Sequence, residues 1–84
     1  MDNFQQDNFQ TKDYCLAAAL MATGNRLIKL RWKGPVAFFI FSDKDRCEIY
    51  VEQYVNNELE VKAKDFVYLL KDIKLKLFSG RETE

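Results

Sequence analysis

A row of alternating cations between Asn25 and Phe41 is the part of this sequence best suited to bind a ligand. Lys29, Arg31 and Lys33 alternate with apolar residues, and no acidic residue occurs from 25 to 41. Side chains at every second position of a strand share one face, so the three charges would lie together. Such a face can contact phosphates or carboxylates, and neighbouring aromatic rings can stack on bases. The segment therefore predicts a cationic binding surface.

The predicted surface joins these cations to aromatic residues of the same segment and to cations near the end of the chain. Its members are Lys29, Arg31, Trp32, Lys33, Phe39, Lys71 and Lys74. The aromatic residues have a second interpretation, because Trp32 and Phe39 could equally belong to the core. In that case the cations have no ligand and simply lie in water on the exposed face of a strand.

Catalytic chemistry is not expected. The chain has no histidine, which removes Ser-His and Cys-His nucleophile pairs and histidine metal sites. Its three glycines are scattered and form no phosphate-binding loop. Its two cysteines, Cys15 and Cys47, are too few for a four-ligand zinc site and are expected to be buried free thiols. We predict no catalytic residue, no metal and no cofactor.

Composition predicts one small folded domain. The chain has 84 residues, of which 48% are hydrophobic, and its net charge is zero. It is therefore rich enough in apolar side chains to fold without disulfides, and bulk charge gives it no general attraction to nucleic acid or lipid. The charges are nevertheless unevenly distributed along the chain: residues 24–41 and 61–78 have a net positive charge, and residues 42–60 have a net negative charge.

Periodicity and turn residues predict the order α-β-β-α-β-α. Two strands flank the turn at Gly34 and Pro35. Helices are expected before this hairpin and from Ser42 to Val55, a short third strand at Glu58–Val61, and a last helix to Phe78. The fold class is thus α+β, a small antiparallel sheet packed against three helices. The strand from 36 to 41 is apolar on both faces, which leaves open the face that the helices cover.

The domain is predicted to span 11–78 between flexible tails at 1–10 and 79–84. The first tail repeats one tetrapeptide, at Asp2–Gln5 and Asp7–Gln10. The chain begins with polar residues instead of a signal peptide, and its longest apolar run, Cys15–Ala22, is too short to span a bilayer. We therefore expect a cytoplasmic protein that does not contact membranes.

From Asp13 to Phe78 the chain resembles a small uncharacterised family, a domain of unknown function from bacterial, plasmid and phage proteins. The resemblance is carried by the run from Asp13 to Ala18, by Gly24, by Phe39–Phe41 and by Tyr54–Val61 leading into Phe66. It implies an accessory gene of a mobile element, and it implies no activity, cofactor or site.

These observations predict a non-enzymatic binding module. The first hypothesis is a protein-protein interaction, for example with a host machine that the chain inhibits, because tryptophan and arginine are frequent interface hot spots. The alternative is a nucleic-acid-binding domain that uses the basic face of the hairpin at 26–41. An open edge strand would also permit a homodimer.

Overall fold

The chain folds into a three-stranded antiparallel sheet covered by three helices. A computed structural model describes residues 7–82. The elements are β1 (Phe9–Thr11), α1 (Tyr14–Ala22), β2 (Leu27–Lys33), β3 (Val36–Phe41), α2 (Lys44–Val55) and α3 (Ala63–Glu82). The strands lie in the order β1-β3-β2, so the most apolar strand is central. The predicted α+β class, with three helices and a small antiparallel sheet, is confirmed.

The third strand comes from a different part of the chain than predicted. Glu58–Val61 forms no strand, and Phe9–Thr11 pairs with β3 instead. After α2 the chain turns at Asn57, whose φ is +60°, and the amides of Glu58 and Leu59 donate to the carbonyl of Gln53. These amides complete the end of α2 and are therefore unavailable to a sheet.

The tail boundaries also differ from the prediction. Phe9 and Gln10 belong to the sheet, and α3 continues through Glu82 instead of ending at Phe78. The first copy of the repeated tetrapeptide and the last two residues lie outside the described residues.

The hairpin forms as its turn residues predict. Lys33 pairs with Val36, which leaves Gly34 and Pro35 as a two-residue turn. Gly34 has a φ of +62°, and the ring of Pro35 fixes a negative φ at the second position. This combination is a type II′ turn, whose twist matches that of the flanking strands.

A β-bulge at Ile28 resets the alternation of β2. Leu27 pairs with Phe41 and Lys29 with Ile40, so Ile28 is the extra residue. Leu27 therefore packs against the core, while Ile28 is 46% exposed. Uninterrupted alternation would place Ile28 on the same face as Leu30 and Trp32, and the bulge turns it outward instead.

The core lies between the sheet and the helices, and α1 is its centre. Asp13 begins α1, its carboxylate accepting from the amides of Cys15 and Leu16 at 3.0 and 3.1 Å. A continuous run from Leu16 to Leu20 is buried, which suits a helix packed on several sides. Phe39 and Phe41 of β3, Cys47 of α2 and Ile73 of α3 complete the buried cluster. None of the described helices has both the length and the apolar character that crossing a bilayer requires.

Candidate functional site

The strand register places the hairpin cations on a single face of the sheet. Arg31 lies opposite Phe38, Lys33 opposite Val36, and Lys29 opposite Ile40. Directly paired residues share a face, and β1 adds one residue through its pairing with Ile40. We call this surface the cationic sheet face; it consists of Gln10, Lys29, Arg31, Lys33, Val36, Phe38 and Ile40. The strands contribute no carboxylate to it.

The helices cover the opposite face. Phe9, Leu27, Leu30, Phe39 and Phe41 point into the core cluster that α1, α2 and α3 share. This answers the question that the doubly apolar β3 left open, since its covered face carries Phe39 and Phe41. Val36, Phe38 and Ile40, the apolar residues of the cationic sheet face, do not belong to that cluster.

The three cations form a regular row along β2. Lys29, Arg31 and Lys33 are all exposed. Alternate residues of an antiparallel strand are about 6.8 Å apart, so the row is about 14 Å long. A line of positive charges on an extended strand can follow a polyanionic backbone.

A hydrogen bond holds the middle cation over the central strand. Nη2 of Arg31 donates to Oε1 of Gln10 at 3.0 Å. Arg31 belongs to β2 and Gln10 to β1, so the side chains meet above β3, where Ile40 is only 4% exposed. The guanidinium is therefore positioned at the centre of the face. Phe38 beside it is half-buried and offers the aromatic surface.

Two predicted surface residues lie on the other side of the sheet. Phe39 is 1% exposed and belongs to the core. Trp32 pairs with Ala37 and lines a cleft of about 260 Å³ with Leu77 of α3. Both were wrong as partners of the hairpin cations, because odd and even positions of a strand point in opposite directions. The aromatic residue that does share the cationic face, Phe38, was missed, although the same alternation indicates it.

The predicted lysines of the last helix are also separate from the cationic sheet face. Lys71 and Lys74 belong to α3, which packs Ile73 and Leu77 toward the covered face of the sheet. Nζ of Lys74 lies 5.6 Å from the ring centroid of Tyr14 on α1. These two lysines therefore extend a different surface, on the helical side of the molecule.

That surface contains an apolar stripe that the sequence analysis missed. Tyr68, Leu75, Phe78 and Val67 are 70%, 65%, 60% and 47% exposed. At about 100° per residue, these four side chains fall on one side of α3 together with two lysines. We call this side the outer stripe of α3; it consists of Lys64, Val67, Tyr68, Lys71, Leu75 and Phe78. The sequence contains this stripe as a second set of apolar residues at helical spacing, in addition to the set that faces the core.

Part of the stripe is concave. Ala63, Lys64, Val67, Tyr68 and Lys71 line a shallow groove of about 350 Å³. A larger groove, about 510 Å³, lies between the end of α2 and the start of α3 and includes Leu59 and Val61. Within the described part of the chain, no three histidine, cysteine, aspartate or glutamate residues are grouped to hold a metal ion.

Burial perturbs the pKa values of the Cys47 and Tyr54 side chains. Desolvation, reinforced by the carboxylate of Asp43, raises the pKa of the Cys47 thiol. Desolvation, reinforced by Asp13, also raises the pKa of the Tyr54 hydroxyl. Both shifts favour the neutral form, so Cys47 is a packing residue and a poor nucleophile at neutral pH.

A family model, described as domain of unknown function (DUF5659), matches residues 6–79. The chain belongs to the DUF5659 family. The match includes every strand and all but the last residues of α3. The residues that carried the resemblance have structural roles in this DUF5659 chain: Asp13 begins α1, Gly24 follows it with a φ of +95°, and Phe39 and Phe41 are core. No curated protein and no solved structure matches the chain.

Proposed function

We propose that the chain is a non-enzymatic binding module whose cationic sheet face binds single-stranded nucleic acid. The observation that carries the proposal is the row of Lys29, Arg31 and Lys33 beside Phe38, on a face to which the three described strands contribute no carboxylate. The chain is neutral overall because acidic residues elsewhere balance these charges, as at Asp43 before α2 and at Asp45 and Glu48 within it. The cationic sheet face is therefore locally positive although the net charge is zero.

The row suits a single strand better than a duplex. In this mode the three cations contact successive phosphates, and the ring of Phe38 stacks on a base. Gln10 offers one further hydrogen-bonding group at the edge of the face. Phosphate contacts and stacking do not depend on base identity, so sequence preference should be weak.

The number of cations sets the expected salt dependence. For single strands the logarithm of the binding constant falls with the logarithm of salt with a slope of about −0.7 per phosphate contact, or roughly −2 for three contacts. A rise from about 50 to about 200 mM salt should then weaken binding roughly 18-fold.

A protein partner on the hairpin is less well supported by the same geometry. That hypothesis combined Trp32 and Arg31 as a hot spot, and they lie on opposite faces of the sheet. The cytoplasm remains the proposed location, since a reducing compartment suits the free thiols of Cys15 and Cys47.

Fluorescence anisotropy of labelled single- and double-stranded oligonucleotides at the two salt concentrations tests the proposal. The Arg31→Gln/Lys33→Gln variant should lose at least tenfold in affinity for the single strand and most of the salt dependence. The Lys44→Gln/Lys62→Gln variant removes the same charge from exposed positions elsewhere and serves as the matched control. An equal loss in both variants, or binding that salt does not change, would refute the cationic sheet face as the site.

A further inference from the structure

The outer stripe of α3 leaves four large apolar side chains in water, on an element whose opposite side already packs into the core. Its core-facing residues include Phe66, Leu69 and Ile73. Val67, Tyr68, Leu75 and Phe78 are not needed for that packing, since each is at least 47% exposed. Contiguous exposed apolar surface of this kind marks interaction sites.

The position of the lysines within the stripe indicates what binds there. At about 100° per residue, Lys64 and Lys71 project along the middle line of the stripe. Val67 and Phe78 flank this line on one side, and the other two apolar residues flank it on the other. Any ligand that covers the apolar flanks must also cover the two ammonium groups between them. An ammonium group covered without a partner is costly, so the ligand must supply carboxylates there.

The acidic residues of α3 are separated from the lysines of the outer stripe. Its acidic residues Asp65 and Asp72 lie about a quarter-turn or more from the middle line. Asp72 is moreover engaged by Lys76, whose Nζ lies 2.6 Å from the Asp72 carboxylate. The stripe thus combines apolar and cationic side chains and contains no internal counter-charge.

We infer that the outer stripe of α3 docks an amphipathic acidic helix of a partner protein, with carboxylates along the centre of the partner's apolar face. The stripe runs from Lys64 to Phe78, about 21 Å, which corresponds to four turns of a partner helix. This inference is independent of the cationic sheet face, which lies on the other side of the sheet.

Two other occupants fit the stripe less well. In a symmetric pair of stripes from two copies, Lys71 meets Lys71 or Lys64 of the second copy, which places like charges in the contact. A lipid surface favours cations at the borders of an apolar face, from which they reach the headgroups. Here the lysines occupy its centre and would be driven toward the acyl chains.

The test uses the full chain and two synthetic Ala-rich helical peptides of about 16 residues. One carries leucines flanking a central line of glutamates, and the other replaces the glutamates with lysines. We expect saturable binding of the Glu peptide only. Lys71→Glu should weaken that binding at least tenfold and create binding of the Lys peptide, whereas Lys33→Glu on the cationic sheet face should change neither.

Tyr68→Ser and Leu75→Ser, both at exposed positions, should each weaken binding of the Glu peptide at least fivefold while the circular dichroism spectrum is unchanged. Equal binding of the two peptides, or no binding of either, would overturn the inference. It would also be overturned by light scattering that shows a dimer dissociated by Lys71→Glu, or by Lys71-dependent binding to vesicles of anionic lipid. Oligonucleotide binding by the Lys71→Glu variant should equal that of the wild type, which separates this inference from the proposed function.

Discussion

Arg31 and Gln10 join the two outer strands of the sheet across the central one, with Nη2 and Oε1 3.0 Å apart. The strands that carry these two residues, β1 and β2, do not pair with each other, because β3 lies between them. The contact therefore fixes a cation where the face would otherwise show only apolar side chains. Arg31 is therefore a cation of the row that a side-chain hydrogen bond positions, and it is the first position to alter.

Gln10→Ala should weaken binding of a single-stranded oligonucleotide about twofold to tenfold, because the guanidinium must then be ordered during binding. Stability should change by less than about 1 kcal/mol, since the hydrogen bond is exposed. Gln10→Glu should weaken binding further and make the salt slope shallower by about 0.7, because a carboxylate would neutralise Arg31. Anisotropy and urea unfolding measure both effects. Tighter binding by Gln10→Glu would contradict the assignment of Arg31.

Phe38 and Phe39 are adjacent in sequence and should respond oppositely to truncation. Phe39→Ala removes a fully buried ring and should destabilise the fold by about 3–5 kcal/mol. Phe38→Ala should destabilise it by only about 1 kcal/mol, because the ring is half-buried. It should nevertheless reduce oligonucleotide affinity by about 1–3 kcal/mol, the value of one stacked base. Unchanged affinity in a folded Phe38→Ala variant would remove stacking from the proposed mode.

The single tryptophan reports on the face that the ligand should not touch. Trp32 lies on the helical side of the sheet, in the cleft with Leu77. Its emission maximum should stay constant when an oligonucleotide binds and shift to longer wavelength when urea unfolds the chain. A shift that follows the binding curve of the labelled oligonucleotide would instead place the ligand at the cleft.

Asn25→Ala should destabilise the fold by about 1–3 kcal/mol. The Asn25 side chain is buried, and its amide donates to the carbonyl of Leu20 at 3.2 Å and to Oγ1 of Thr23 at 2.8 Å. Its Oδ1 also lies 3.7 Å from the sulfur of Cys47, so the residue links the end of α1 to α2. Asn56→Ala, at an exposed position, is the control and should cost less than about 0.5 kcal/mol. Equal urea midpoints for the two variants would argue against this link.

Stability should fall at alkaline pH because of Cys47. Burial raises the pKa of its thiol above the ordinary value of 9.0, with Asp43 adding to the shift. The stabilisation is present in full below the pKa of the unfolded thiol and is lost as the pH rises through the higher folded value, because the unfolded chain ionises first. Urea unfolding between about pH 7.5 and about pH 9.5 should show a steeper decline for the wild type than for Cys47→Ala. Parallel declines would assign the effect to other groups.

Local patterns predicted the elements that depend on local chemistry. The turn at Gly34 and Pro35, the helix before the hairpin and the helix that follows it each appear where their residues indicate. The strand Phe9–Thr11 could not be predicted in this way. It has only three residues, and it is a strand because the edge of β3 is available to pair with it.

The candidate surface was predicted in part for the same reason. Alternation alone places Lys29, Arg31 and Lys33 together, and it separates them from Trp32. It does not say which face the helices cover, since β3 is apolar on both sides. That choice depends on packing with distant residues such as Ile73. The hairpin register, in which Arg31 lies opposite Phe38, places Phe38 and not Phe39 beside the cations.

The bulge at Ile28 lies in an edge strand and bears on aggregation of the protein. β2 is the longer of the two edge strands of the described sheet, and an exposed edge strand can pair with another copy and form fibrils. Here the backbone bends at the start of that border, and a second copy laid against it would bring its own cations against Lys29, Arg31 and Lys33. We therefore expect the same row of positive charges to oppose edge-to-edge aggregation in concentrated solutions of the protein.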